Sequence, residues 1–457
     1  VFAVKDYDVV VAGGSFAGSY FARKIAEKGF RVLVLEKDKR ETISPDYDIF
    51  HLDRADIERF GLPAPREGDG VWAFEFRQSR VFSAFGRHPK PSRPDVIGLH
   101  KRAYIQRLND WAAEAGAEIL YEAAFEDFVY DSGGKICGVA YNAGGERAEV
   151  RCRLAADCTG IPAAARTKLP ANYGVETFAL TAEDVFFVTL RYIRFTETLP
   201  PLLCSDSWVF YKVWLAPSGE ENGAILGIGA NFGYEYAEKM LGLFSRNVKL
   251  PPYEVKKIER GRTPYRRPPY SFVGDGFLAL GDAACLTKPN NGEGCAAAMV
   301  LSEIAAEEAA GAMRGGAYPS RQALWGVNKR YIDAQGARFA SLLALLAGVI
   351  RHSAKANEYF FRHDIVFSRK LFSGAPDGMR LTARDYLKTL VFALAGVAAG
   401  KTRPAEVGAI VKAALAGGKI AAHYAKFPAS PDGFDAWKEE ADRLWARAGS
   451  MAGWKLL

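Results

Sequence analysis

The sequence predicts a mixed α/β and α+β protein: a Rossmann-like dinucleotide-binding domain interrupted by an antiparallel β-sheet domain and followed by a helical C-terminal region. Three observations predict it. A complete βαβ unit occupies residues 8–36, a β-rich stretch runs from about 176 to 260, and beyond about 335 the chain is rich in Ala and Leu with helical spacing.

With 457 residues the chain is too long for one ordinary core. The expected division is a discontinuous dinucleotide domain at 1–175 and 261–335, a sheet domain at 176–260 and a helical domain at 336–457. Hydrophobic residues at 49% and charged residues at 25% are those of a folded globular chain and argue against long disorder.

Asp8-Val-Val-Val-Ala12 reads as a buried strand, Gly13 to Gly18 as a tight turn, Ser19 to Lys28 as a helix and Arg31 to Glu36 as a second, parallel strand. Residues 43–94 are irregular, with short strands such as Val71 to Arg77. Lys101 to Gly116 has helical periodicity, and Glu118 to Tyr130 and Lys135 to Tyr141 read as strands around Asp131-Ser-Gly-Gly134. Arg151 to Asp157 is a further strand. In the β-rich stretch, Val185 to Ile193, Ser207 to Leu215 and Ala224 to Phe232 alternate apolar and polar residues. Phe277 to Leu280 returns the chain to the first sheet, and Gly294 to Met313 is an Ala-rich helix. Breaks fall at Gly374-Ala-Pro376 and Thr402-Arg-Pro404.

Gly13-Gly14-Ser15-Phe16-Ala17-Gly18 is a G-x-G-x-x-G fingerprint with Ser15 in the middle glycine's place. Gly13 permits the turn, Ser15 is small enough for a pyrophosphate to approach, Gly18 lets helix and strand pack, and the helix N-terminus offers amides to phosphate. Glu36, with Lys37 beside it, ends the second strand where a carboxylate accepts hydrogen bonds from an adenosine ribose. A second motif, Gly281-Asp282-Ala-Ala284, follows the strand at 277–280 and precedes Pro289-Asn-Asn-Gly292-Glu293-Gly294 and a helix.

The run from Asp275 through Ala284 to Gly294 resembles the second FAD motif of the geranylgeranyl reductase family, flavoproteins of the glutathione reductase and p-hydroxybenzoate hydroxylase fold. The resemblance extends over most of residues 5–310, and it implies FAD as cofactor. It implies Asp282 on the ribityl hydroxyls, and the amides of Gly292, Glu293 and Gly294, after Pro289, at the flavin pyrimidine. The segment from His100 to Leu108 is similar to the family's element in which an arginine, here Arg102, lies near the cofactor. Ala124 and Phe125 fall where the family passes its backbone along the adenine. Asp157 and Gly160, with Arg166 following, resemble its Asp-Gly element; read without the family, Asp157 is a turn-forming Asx residue.

On the substrate side the family carries Tyr-x-Trp-x-Phe-Pro; here Trp214 and Pro217 keep the spacing, while Tyr211 stands one residue early and Ala216 replaces Phe. Residues 43–50 lack the family's Cys-Gly pair. Tyr211, Trp214 and Pro217 are the candidate substrate contacts, and Tyr211, Trp214 and Glu293 the candidate catalytic residues. The resemblance implies hydride transfer from reduced flavin to a carbon-carbon double bond of an isoprenoid or similarly apolar substrate. Electrons would come from NAD(P)H or a ferredoxin-like carrier, since no second nucleotide-binding domain is evident.

Three alternatives stay open. An aromatic monooxygenase would show Gly-Gln-Gly before an Asn-bearing helix, where this chain has Gly292-Glu-Gly-Cys-Ala-Ala297. A halogenase would show Trp-x-Trp-x-Ile-Pro, which residues 208–217 do not supply. An electron-transfer flavoprotein linked to a membrane quinone is compatible with the basic, apolar last third.

Six cysteines without C-x-x-C spacing and six scattered histidines predict no metal site and a reduced, cytoplasmic setting. No cysteine follows Cys295, which excludes a C-terminal iron-sulfur cluster. The first residues show no secretory pattern, so no export signal is expected. The apolar stretches at 339–350 and 389–400, 12 residues each, fall short of the roughly 20 that span a bilayer. Net charge is +7, and residues 341–426 alone hold 13 Lys/Arg against 5 Asp/Glu. That concentration points either to a solvated basic face or to a peripheral contact with the inner membrane surface, and no nucleic-acid partner is expected.

Overall fold

Fully buried tetrads of small and branched residues set the central sheet. In the computed structural model, which describes residues 6–200, 202–349, 352–365 and 383–448, Val9–Ala12, Val32–Leu35 and Leu154–Asp157 are buried on both faces. They pair in parallel with Glu118–Leu120 at one side and Phe277–Ala279 at the other, and Val273–Gly274 adds an antiparallel edge. Each wholly buried Val or Leu contributes about 1.5–3 kcal/mol. The register aligns Ala12 with both Leu35 and Asp157, and Asp157 with Ala279. Gly13, Glu36, Cys158 and Gly281 therefore emerge together at the carboxyl edge, where open α/β sheets bind ligands.

Helices Phe16–Ala26, Lys101–Glu114 and Cys295–Ala312 cover this sheet, with Phe16, Tyr20, Tyr104, Leu108, Met299 and Leu301 in its core. The first helix begins at Phe16, earlier than the expected Ser19, because the fingerprint residues themselves take helical conformation after Ser15. The expected strand at 118–130 is two strands: Glu122 takes a left-handed conformation (φ 56°), and Ala123–Tyr130 crosses into a separate antiparallel sheet with Ile136–Ala143 and Glu146–Arg151.

The middle sheet has seven strands in the order Tyr253–Pro264, Val185–Phe195, Gly223–Ala230, Val213–Pro217, Cys204–Trp208, Gln78–Phe82, Lys90–Ser92. It reaches outside 176–260, because Cys204–Trp208 pairs in parallel with Gln78–Phe82. The expected single strand at 207–215 is a hairpin that turns at 209–212, with Lys212 left-handed at φ 56°. A small sheet of Ile49–Asp53, Val96–His100 and Trp72–Phe76 completes the β structure.

In the last third, Ala337–Val349 and Pro404–Tyr424 pack so closely that a Cβ on Gly417 would lie 2.8 Å from the Ser341 carbonyl oxygen. Tyr424, Phe434, Trp437 and Leu444 join the core of the central sheet. The break at Thr402-Arg-Pro404 separates Ala383–Ala398 from Pro404–Tyr424; the one at Gly374-Ala-Pro376, and Ile350 at the end of the first apolar stretch, lie outside the described residues. Among the described residues no helix is long and apolar enough to cross a membrane.

Candidate functional site

The site at the carboxyl edge is built from two open helix N-termini. Ser15, extended at φ −89° and ψ −162°, precedes Phe16–Ala26 without capping it by its side chain, and no acidic residue occupies that first turn. Gly294, itself near helical conformation at φ −103° and ψ −32°, opens Cys295–Ala312, again without a side-chain cap or an early carboxylate. Two uncapped N-termini leave N–H groups and partial positive charge directed at whatever lies over the sheet edge.

The glycines explain how the loops close. A Cβ on Gly13, whose φ is +106°, would stand 2.2 Å from the Cys158 carbonyl oxygen, and one on Gly18 would stand 1.9 Å from the Gly13 carbonyl oxygen. At Gly281 (φ +61°) a Cβ would meet the Ala17 Cβ at 2.8 Å, so the first fingerprint and the second motif touch.

Glu36 is buried and faces the fingerprint: its Oε2 accepts from the Gly14 amide at 2.8 Å and its Oε1 from the Asp38 amide at 2.9 Å. Burial pushes its pKa up against those two bonds. Lys37 is exposed and pairs with Asp38 at 3.1 Å. Ala123 donates its amide to the Glu36 carbonyl, which places Ala124 and Phe125 beside that corner, and a groove of about 600 Å3 lies among Lys37, Asp38, Thr42, Glu122 and Ala124. Arg102 is exposed and donates to the Ile43 carbonyl at 3.3 Å.

Asp157 is fully buried and organises its own loop, accepting from the Thr159 amide and hydroxyl at 2.9 and 2.7 Å and from the Arg166 amide at 2.7 Å. Gly160 makes the left-handed turn within it (φ 77°). Arg166, also fully buried, donates to the Ala283 carbonyl at 2.8 Å and the Glu176 carbonyl at 2.6 Å, tying this loop to the second motif; its Nη2 has no partner among the described residues.

Asp282 lies beside the second helix N-terminus, its Oδ1 3.4 Å from where a Cβ on Gly294 would be. Its carboxylate accepts no hydrogen bond among the described residues, and burial pushes its pKa up to about 6 against the attraction of Lys101. Two residues that sequence reasoning missed surround it. Burial pulls the Lys101 pKa down, and its ammonium lies 4.5 Å from the centre of the Tyr47 ring. Tyr47 is raised by burial and by the Asp282 charge, and it packs against the buried cluster that holds Phe74 and Phe76, which Tyr192 and Trp214 also flank. The signal for Tyr47 was its place in the segment 43–50 where the family pattern breaks.

Pro289 accepts a hydrogen bond from the Tyr265 hydroxyl, and Gly292 (φ 80°) turns the loop. Glu293 lies 3.5 Å from His51 and 3.2 Å from Lys288. Against burial, which raises it, His51 and Lys288 hold its pKa down to about 2; against burial, which lowers it, Glu293 raises that of His51. A carboxyl held that low argues against Glu293 as the acid, and within the pair it is His51 whose proton affinity is raised.

The structure does not bring Tyr211 and Trp214 together. Tyr211 is buried in the hairpin turn, packed on Phe244, its hydroxyl accepting from the Asn247 side chain at 2.8 Å. Trp214 lies on the opposite face, its ring filling the space over Gly227, where a Cβ would come within 2.0 Å. Three residues apart, the two face opposite ways by strand alternation alone, and Tyr211, 1% exposed in the cluster around Phe244, is core and not a shared pocket wall. Pro217 is buried at the end of the same strand. Among the described residues no cluster of His, Cys, Asp or Glu could hold a metal ion.

Uncapped helix ends, glycines where a Cβ would collide and a buried carboxylate without a donor fit a dinucleotide with a central pyrophosphate and hydroxyl-bearing sugar chains on either side. The fold and site define an FAD-dependent oxidoreductase, and a family model described as an FAD binding domain matches residues 6–206. A digeranylgeranylglycerophospholipid reductase of Methanopyrus kandleri is 30% identical over 66% of this chain and 80% of its own. Another of that name, from Sulfolobus acidocaldarius, is 24% identical over 96% of this chain and 97% of its own. The chain belongs to the geranylgeranyl reductase family. In fold it resembles a geranylgeranyl bacteriochlorophyll reductase-like protein of Thermoplasma acidophilum, with TM-score 0.70 and 18% identity over 85% of this chain and 96% of that one. A flavin-dependent brominase shares the fold at TM-score 0.60 and 17% identity, over 87% of this chain and all of its own.

Proposed function

We propose that the protein reduces carbon-carbon double bonds in the isoprenoid chains of a lipid, working as a peripheral enzyme on the inner face of the membrane. The observation that carries this reading is the partly open aromatic pair Tyr47 and Trp214, which flank the buried cluster of Phe74 and Phe76 between the small sheet and the middle sheet, with Tyr47 within reach of the Asp282 charge. An apolar chain laid along it would be shielded from water beside the second motif. The names of the curated relatives point to the same substrate class.

In this reading the first-turn amides after Ser15 hold the pyrophosphate of FAD, Glu36 the adenosine ribose, Ala124 and Phe125 the adenine edge, and Asp282 the ribityl hydroxyls. The amides of Gly292 to Gly294 would serve the flavin pyrimidine. Lys37 and Arg102 frame the groove from solvent, while Asp157, Gly160 and Pro289 shape the loops. When bound there, FAD reduced by a nicotinamide or ferredoxin-like carrier would supply the hydride. Trp214 and Tyr47 orient the alkene and exclude water, and His51 holds a proton at Nε2 against Glu293, available to the second carbon directly or through an ordered water.

The test is anaerobic reduction of the FAD-loaded protein followed by addition of a geranylgeranyl lipid. Reoxidation of the flavin with a mass gain of two hydrogens per double bond is expected. Reoxidation only by oxygen together with an aromatic substrate would instead make the chain a monooxygenase.

A further inference from the structure

The last third of the chain carries an apolar face that the described residues leave uncovered. In Ala383–Ala398, Thr389, Phe392, Ala393 and Gly396 turn inward, and Phe392 packs on Phe360, Phe361 and Ile365. At the same i, i+3, i+4, i+7 spacing on the other side stand Leu387, Leu390, Val391 and Leu394, which are 63%, 49%, 54% and 59% exposed. Pro404–Tyr424 repeats the arrangement: Ile410, Ala413, Gly417 and Ile420 are buried, while Val411 and Leu415, one turn apart, are 46% and 62% exposed. Scattered exposed aliphatics are ordinary, but two successive helices with aliphatics on both faces mark a contact surface.

The charges identify what that surface meets. Between residues 387 and 426 the exposed ionic side chains are Lys388, Lys401, Arg403, Lys412, Lys419 and Lys426, and the single carboxylate, Glu406, is buried. Glu406 is occupied by the Arg403 guanidinium and by the amides of Arg403 and Ser353, and Lys388 lies 3.5 Å from Asp364 on a neighbouring element. A second copy meeting this face through the same face would set cations against cations. An anionic lipid surface would neutralise them, with aliphatic side chains entering the acyl boundary and ammonium groups staying among the phosphates.

We propose that the outward faces of Ala383–Ala398 and Pro404–Tyr424 dock the protein on an anionic bilayer, the helices lying in the plane of the interface. Among the described residues no helix is long and apolar enough to cross a membrane, and both of these keep a buried face against the protein, so they lie on the bilayer and do not cross it. This deepens the lipid-reductase reading and rests on it for where the substrate is met, while the docking face itself stands on exposure and charge.

The experiment uses the full FAD-loaded chain and flotation with vesicles of phosphatidylcholine alone or of phosphatidylcholine with phosphatidylglycerol. Binding to the anionic vesicles that falls with added salt is expected. The Leu390→Glu, Leu394→Glu double variant should lose at least tenfold in binding with flavin absorbance and circular dichroism unchanged, and Lys412→Ala and Lys419→Ala about fivefold each. Failure of the parent protein to float with anionic vesicles, or equal flotation of the double variant, overturns the proposal. So does a dimer in solution that the same leucine substitutions dissociate, since that gives the face to a second copy. Reduction of a detergent-dispersed lipid separates the two readings. A protein that reduces dispersed lipid but ignores vesicles defeats only the docking face, and one that binds vesicles but reduces nothing defeats only the reductase.

Discussion

Asp282→Asn should make the apoprotein more stable while making it a poorer flavin binder. In the folded chain the Asp282 carboxyl titrates near pH 6, raised by burial from an ordinary value of 3.8. A carboxylate whose folded pKa lies above its unfolded one opposes folding once ionised, so the penalty is absent below pH 3.8, grows between 3.8 and 6, and is complete above 6. A displacement of that size corresponds to about 3 kcal/mol at full burial; since the side chain is partly open to solvent, about 1–2 kcal/mol is the expected magnitude. Denaturation of parent and variant apoprotein at pH 4 and pH 7.5 isolates the effect, because other titrating groups contribute equally to both. The variant should gain about 1–2 kcal/mol at the higher pH and almost nothing at the lower. Its FAD affinity should fall by roughly tenfold or more, because a carboxylate accepts hydroxyl hydrogen bonds more strongly than an amide oxygen. Equal stability of the two proteins at pH 7.5, or undiminished FAD binding by the variant, would refute the reasoning.

Two further outcomes follow from the same site. Gly18→Ala, which would gain about 1 kcal/mol in an ordinary helix, should instead destabilise by about 1–3 kcal/mol and abolish flavin retention, because its Cβ would fall 1.9 Å from the Gly13 carbonyl oxygen; wild-type melting and flavin content would contradict this. For the His51–Glu293 pair, Glu293 stays ionised down to about pH 2 and contributes above its ordinary pKa of 4.5, whereas His51 contributes below 6.5 and loses its charge as the pH rises through its raised value. Glu293→Gln should therefore lower the His51 pKa, read by NMR titration with the resonance assigned through His51→Asn; an unchanged value would show that the contact is not formed in solution.

The sequence by itself determined the parts whose causes are local. A buried tetrad, a glycine turn and an amphipathic helix follow one another within residues 8–36, and near-neighbour sterics are enough to define them. The same holds for the strand before Gly281 and the uncapped helix after Gly294, so both motifs and the cofactor class were legible without coordinates. The tertiary structure alone decided that Ala17 and Gly281 touch, that Arg166 links Asp157 to Ala283, and that strands at 78–82 and 90–92 extend the middle sheet. It also decided that residues 204–217 fold into a hairpin and that, among the described residues, Leu387, Leu390, Val391 and Leu394 stay uncovered. Each of these depends on pairing between residues far apart in the chain, or on one left-handed residue at Lys212, and hydrophobic periodicity carries no record of which partner a face will meet.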